Sequence, residues 1–420
     1  MVLNILQNGR QSLSADESLI VHAIDGHEEN LWQINTKIHD NPEVGFEEFQ
    51  AHDSITQFCR DLGYKVTPHA FGVETSFLVE YGEGGRVVAF NAEYDALPDI
   101  GHACGHNLIA TSSLGAFLGV AAALRESGRP GRARLIGTPA EEGGGGKLPI
   151  IEAGGYDDVD ACLMVHPGPD RIFEGAQTGA AYGTTLANVK FRAHFTGKSA
   201  HAAMAPWQGV NALDAVCLSY NGVSMLRQQI KPYERIHGII AEGGTRPNVI
   251  TARASLEFYC RSATFDEAEA LKDRVVSCLD GAATATACTL SVEILNKYAD
   301  LRPNKIICSE YATVMETLGS PVACDFDPKV KGGGSTDMGN VTYACPGFHG
   351  MYGIPSEKDA FNHTPGFADA AGTRRAFDLT VPTSKAMAIV GWKVLTDDKV
   401  AARIRKDFEE DKKMREAMKE

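Results

Sequence analysis

The stretch that most constrains this chain is Phe90 to Leu108, FNAEYDALPDIGHACGHNL. It brings two carboxylates (Glu93, Asp95), two imidazoles (His102, His106) and one thiol (Cys104) into a short polar segment. The apolar, β-branched run Arg86-Val-Val-Ala-Phe90 before it reads as a buried strand. The alanine-rich run from Leu108 to Leu124 after it reads as a buried helix. The cluster therefore sits where a strand gives way to a helix, and in open α/β sheets ligands bind at the carboxyl ends of strands. Soft and borderline donors crowded at such a point suit a transition metal.

Two further apolar runs end in the same kind of residue. Arg132 to Thr138 leads into Pro139-Ala-Glu-Glu-Gly-Gly-Gly-Gly146, and Asp160 to Val165 ends at His166. Each residue alone has a plainer reading. A buried cysteine is more often packing than ligand. A Glu-Glu pair is usually a solvated turn, His166 could be a satisfied core histidine, and His363 could lie in a surface loop. Convergence of all of them on one sheet edge is hard to explain by packing. Adjacent carboxylates can divide labour, one binding metal and the other acting as general base. Cys104, His106, Glu142, His166 and His363 make five candidate ligands, more than one tetrahedral zinc needs. Two metals about 3.5–4 Å apart, holding a bridging hydroxide, fit that number better. Cysteine with histidine suits zinc, while carboxylate with histidine also admits manganese.

At 420 residues the chain is longer than one core supports, so two domains are expected. A helix opens at the capping box Ser14-Ala-Asp-Glu17 and runs to Asn41-Pro42; a second spans 47–62. From 185 to 297 the pattern becomes β-α-β-β-α-β, the ferredoxin-like unit, inserted between α/β segments at 1–184 and 298–420. Such a small sheet has edges that could pair with a second copy of the chain. A closing helix is expected from Pro382, with proline at its start.

The net charge of -14 argues against a nucleic-acid partner. No run approaches the length of a membrane span, no signal peptide is visible at the N-terminus, and the C-terminus is not a peroxisomal tripeptide. Ten scattered cysteines without a paired framework point to a reducing, cytoplasmic setting.

Six segments in order, GHACGHN (101–107), PAEEGGGG (139–146), VHPGP (165–169), TGKSAHAA (196–203), GGTRPNVI (243–250) and NHTPGF (362–367), resemble the M20 metallopeptidase family. More narrowly they resemble its amidohydrolase branch, subfamily D, with EYDALPDIGHACGHNLI and GSTDMGN similar to a dipeptidase-like subgroup. The resemblance implies a phosphorylase/hydrolase-like α/β catalytic domain with the inserted unit as lid and dimerisation domain. It implies two divalent metal ions in each copy of the chain, zinc or manganese, held by Cys104, His106, Glu142, His166 and His363, with Cys104 bridging. Glu141 becomes the general base, and Asp95 orients the site from behind the ligands. His201 would stabilise the oxyanion in a neighbouring copy's site. Asn248 and Arg261 would hold substrate, and the 332–334 glycine loop with Ser335 and Asp337 would line the pocket.

Asn91-Ala-Glu-Tyr-Asp95 departs from the Arg-Ala-Asp-Met-Asp run of many members, and Asn107 stands where they carry Asp. The expectation is a metal-dependent amidohydrolase or dipeptidase acting on a small dipeptide or N-acyl amino acid, as a homodimer or higher homo-oligomer. The alternative is a non-catalytic metal-containing binding or scaffold protein on the same fold. A thiol-redox protein built on Cys104 is disfavoured, because no C-x-x-C partner is present.

Overall fold

The structure, a computed structural model, describes residues 12–175, 177–327, 332 and 334–417. The N-terminal residues 1–11, Lys331 and Gly333 of the glycine-rich loop, and residues 418–420 of the C-terminus lie outside the described residues. Among the described residues eleven strands follow in chain order. The first six are β1 (Lys65–Pro68), β2 (Phe77–Glu83), β3 (Val87–Ala92), β4 (Gly131–Gly137), β5 (Ala161–Pro169) and β6 (Gly179–Ala180). The rest are β7 (Ala187–Thr196), β8 (Arg235–Glu242), β9 (Arg253–Ser262), β10 (Thr289–Tyr298) and β11 (Gly347–Ile354).

The chain divides into two compact units. One consists of the described residues within Met1–Thr184, Arg302–Lys331 and Asn340–Glu420; the other is Thr185–Leu301 with the described part of Gly332–Gly339. The first unit holds a seven-stranded sheet of order β1-β2-β4-β3-β5-β11-β6. Its central strands β4, β3, β5 and β11 are mutually parallel. Their carboxyl ends therefore share one edge, which is what places residues from distant parts of the chain together. These strands read as near-continuous apolar runs because both faces are covered. Phe90, Leu135 and Leu163 pack in one core with Phe117, Val120 and Met387.

Helix His106–Ser127 starts directly at that edge. It is long and apolar enough to cross a membrane by length and composition, contrary to the expectation that no run reaches that length. Here it is the central core helix: 94% of its apolar window is buried.

The second unit is a four-stranded antiparallel sheet of order β10-β7-β9-β8. Helices Ala212–Leu226 and Phe265–Thr286 complete the β-α-β-β-α-β sequence. Thr264 caps the second helix by accepting from the Glu267 amide. The apolar faces of both helices pack with Phe191, Leu256 and Phe258 into a core of this unit's own.

Several local expectations are corrected. The capping box at Ser14 is present, with both reciprocal bonds, but its helix stops at Gly26 and a second one, Glu28–His39, begins after His27. Pro382 lies inside helix Arg374–Thr396 rather than at its start. His166 is not at a strand end but within β5, opposite Met351 of β11. The charged C-terminal segment is helical over Asp398–Ala417, tied down by the two-point contact of Arg302 with Asp411.

Gly105, between Cys104 and His106, has φ 77°, and a Cβ there would lie 2.5 Å from Pro167 Cγ. A left-handed backbone costs an L-residue roughly 1–2 kcal/mol before any clash. Gly105→Ala should therefore lower the melting temperature and reduce bound metal per chain, both measurable on purified protein. Wild-type values for both would show that the turn tolerates a side chain.

Candidate metal centre

The centre is built from the loops that leave the parallel strands. β3 delivers Glu93 and Asp95, and the following turn delivers Cys104 and His106. β4 leads through Thr138, whose amide donates to Ala92 O at 2.8 Å, into Glu141 and Glu142. His166 projects from β5 itself. His363 arrives from the segment after β11, in a left-handed conformation (φ 68°), with its amide donating to Ala103 O at 2.8 Å.

All six predicted residues of this centre come together. Donor atoms of Cys104, His106 and His166 lie within 4.8 Å of one another, as do those of Cys104, Glu142 and His363, and those of His106, Glu141 and Glu142. Cys104 is the one residue common to the first two groups. The imidazoles are set for coordination through Nε2. His106 Nδ1 donates to Asp95 Oδ1 at 3.0 Å, and His166 Nδ1 donates to Pro167 O at 2.8 Å. Each leaves its Nε2 lone pair facing inward, the usual arrangement of metal-ligating histidines. His166 Nε2 is 3.3 Å from Cys104 Sγ, and His363 Nε2 is 3.2 Å from Glu142 Oε1.

A metal fits these donors on the structure's own terms. His106 Nε2 is buried with no hydrogen-bond partner among the described residues, and buried Glu142 Oε1 lies 3.8 Å from it and 3.2 Å from His363 Nε2. Buried polar atoms are normally satisfied, so such an orphan calls for an explanation. A thiol, three imidazoles and carboxylates form a donor set suited to a divalent transition ion.

The acidities of these groups follow from their neighbours. Glu142 is held down at about 2: burial opposes this, but the His363 and His106 imidazoles outweigh it. Burial would depress His106, but the Asp95 carboxylate pushes it well above its ordinary range. Burial, with Glu142 beside it, pushes the Cys104 thiol up. That is the reverse of a reactive redox thiol.

Asp95 lies behind two of the candidate ligands. Besides orienting His106 it accepts from the Glu142 amide at 2.9 Å, so one buried carboxylate fixes two ligands. The departures from the family pattern are structural. Asn91 accepts from the Tyr156 hydroxyl at 2.9 Å, and Asn107 donates to Asn35 Oδ1 and Ala371 O in the core.

Other residues of the centre were not singled out in the sequence. Lys147 is fully buried and donates to Glu93 Oε1 at 2.6 Å, beneath His106, whose Nε2 is 3.6 Å from Glu93 Oε2. Burial would lift the Glu93 carboxyl; the Lys147 ammonium, with His106 and His166, holds it below its ordinary value. His349 packs its ring 5.7 Å from that of His166. Asn362 donates to Pro167 O at 3.2 Å and points its amide at Cys104 Sγ, 3.8 Å away. The only sequence signal for Lys147 was a charge placed at the head of an apolar segment, KLPII.

The remaining predicted residues belong to the second unit. His201 is exposed, and its Nδ1 accepts from the Ala203 and Met204 amides at 3.3 Å each, which leaves the proton on Nε2. The Asn248 segment lies against it, with the Ala202 amide donating to Asn248 O at 3.1 Å. Arg261 is half-buried and donates to Ser335 Oγ at 2.9 Å. Gly334 accepts from the Leu186 amide at 2.9 Å.

A parallel α/β sheet with a six-residue donor cluster at its carboxyl edge, two carboxylates side by side, defines a metal-dependent hydrolase of amide or peptide bonds. The comparisons with known proteins agree. Residues 186–287 match the family model described as the M20 peptidase dimerisation domain. The chain is 40% identical to a Xaa-Arg dipeptidase of Mus musculus over 400 residues, covering 92% of this chain and 90% of the relative. It is 37% identical to a Xaa-Arg dipeptidase of Homo sapiens over 420 residues, covering 96% and 94%. Among solved structures, the aminobenzoyl-glutamate utilization protein of Klebsiella pneumoniae has the same fold: TM-score 0.70, 19% identity, 92% and 100% coverage. So does a Bacillus subtilis protein described as a dinuclear metal binding peptidase: TM-score 0.64, 20% identity, 88% and 99% coverage. The chain belongs to the M20 peptidase family, in its amidohydrolase branch.

Removing one member of a buried ion pair typically costs about 3–5 kcal/mol. Lys147→Met should lower unfolding free energy by about that amount, and adding Glu93→Gln should recover much of it. Chemical denaturation of the two variants reads both effects; independent, additive losses would contradict the pairing.

Proposed function

We propose that this chain hydrolyses dipeptides, and that those with a basic C-terminal residue are preferred. The observation that carries the reading is Glu141, whose carboxylate stands beside two donor groups joined at Cys104. His106 and His166 would hold one divalent ion, Glu142 and His363 a second, with Cys104 between them; zinc or manganese suits this set. Ions bound there supply Lewis-acid polarisation of the scissile carbonyl and an acidified water. Glu141 takes the proton from the attacking water and returns it to the departing amine, so that the C–N bond breaks with a neutral leaving group. His201, with its proton on Nε2, would donate to the developing oxyanion in a neighbouring copy's site. Asn248, Arg261, Gly334 and Ser335 are assigned to substrate contact.

The preference for a basic C-terminal residue is supported by the Xaa-Arg dipeptidase relatives, which the chain matches along most of its length. Assembly as a homodimer through the second unit is supported by the dimerisation-domain match and by the exposed edge strand β8, whose Ile239 is 62% exposed. Ten free cysteines fit a cytoplasmic setting. The relatives are hydrolases, and nothing among them favours the scaffold alternative.

Chelator-treated protein should lose activity toward Xaa-Arg and Xaa-Lys dipeptides and regain it with zinc or manganese. Glu141→Gln should keep its metal yet lose on the order of 10²–10⁴ in kcat. A Glu141→Gln variant with normal turnover would refute the mechanism. Preferential hydrolysis of N-acyl amino acids or p-aminobenzoyl-glutamate over basic dipeptides would refute the substrate assignment.

A further inference from the structure

Glu141 sits in a turn whose flanking amides are each held by a buried carboxylate. On one side the Glu142 amide donates to Asp95 Oδ2 at 2.9 Å. On the other the Ala140 amide donates to Glu48 Oε1 at 2.8 Å. Glu48 is fully buried, and its second oxygen accepts from Thr75 Oγ1 at 2.7 Å. The Thr75 carbonyl in turn accepts from the Tyr94 hydroxyl at 2.5 Å, and Tyr94 precedes Asp95 in the chain. The two carboxylates thus belong to one buried network.

Two features separate Glu48 from an ordinary helix-start residue. It occupies the N-cap position of helix Phe49–Asp61 yet makes no capping bond. Glu43 does that work instead, accepting from the Gln50 and Ala51 amides at 2.8 and 3.0 Å. The Glu48 side chain is turned to the Glu141 turn. There it meets Ala140, which is held in the left-handed region at φ 59°, where an L-residue is strained. Gly45 packs against this residue so closely that a Cβ there would lie 2.8 Å from Ala140 Cβ.

We propose that Glu48 is a positioning residue for Glu141. By accepting from the Ala140 amide it keeps that residue in its left-handed conformation, while Asp95 anchors the other side of the turn. This assignment rests on the reading of Glu141 as general base. A base whose neighbours on either side are each held at their amides loses little freedom when the water is deprotonated, and misplacement by about 1 Å costs roughly 10²-fold in rate.

The test uses the metal-loaded enzyme and reads kcat, KM, bound metal and melting temperature together. Glu48→Ala should lower kcat on the order of 10²-fold with KM and metal content near wild type. Glu48→Gln keeps an oxygen for the Ala140 amide and should retain most of the activity. Ala140→Gly removes the left-handed penalty, so in the Glu48→Ala background it should recover roughly fivefold. Where Glu48→Ala does not fold, Glu48→Asp, too short by one methylene to reach, should give the same pattern.

Wild-type kcat in Glu48→Ala overturns the inference. So does a parallel loss of metal, stability and activity that Ala140→Gly leaves unchanged, because that marks a general structural prop. Glu141→Gln, assayed alongside, separates the two levels. Full activity there removes the reading of the base itself. Loss of activity there with an unaffected Glu48→Ala removes only the positioning role.

Discussion

The Asp95 carboxylate is the contact on which the rest of the centre depends. One oxygen accepts from His106 Nδ1, the other from the Glu142 amide, and the residue is almost wholly buried. The first bond fixes the tautomer and ring plane of a ligand from the turn after β3; the second fixes the backbone of a ligand after β4. Two strands that are neighbours in the sheet are thereby locked at their carboxyl ends. A carboxylate is suited to this because it accepts at two oxygens and needs no donor of its own. Burial strengthens both bonds, since no water competes for them.

Around that contact the same economy recurs. The buried groups of the centre have complementary partners: Glu93 with Lys147, Glu142 with His363 and His106, and the Glu48 carboxyl, pushed up to about 7 by burial and Asp95, with a peptide amide and a threonine hydroxyl. His106 Nε2, unpartnered among the described residues, lies 3.8 Å from Glu142 Oε1 where the donors converge. An imidazole nitrogen left open at that point fits a site organised to receive a cation.

Much of this was legible in the sequence. Apolar runs ending in cysteine, histidine and glutamate pointed to the α/β sheet and to the edge where those residues gather, and the change of pattern at 185 pointed to the β-α-β-β-α-β unit. What escaped had a physical cause in each case. The helix break at His27 and the internal position of Pro382 depart from what local propensity suggests, which is a weak guide to where a helix starts or stops. His166 lies inside β5 because β11 pairs on to Pro169, and a run such as VHPGP gives no sign of a ladder partner. Lys147 and Glu48 look like surface charges in one dimension. Their roles come from an ammonium and a carboxyl reaching groups 54 and 92 residues away, and no local pattern encodes that.

The second unit carries a histidine with a defined tautomer, and the six candidate donor residues gather in the first. On the proposed reading, the chemistry of proton transfer rests on Glu141 and the groups that hold it. The central claim is that Cys104 joins two cation sites. Anomalous diffraction at the metal edge, from crystals of the metal-loaded protein, tests it most directly. The account predicts two peaks about 3.5–4 Å apart, one beside His106 and His166 and the other beside Glu142 and His363, with Cys104 Sγ within bonding distance of both. A single peak away from Cys104, or none among these residues, would contradict it.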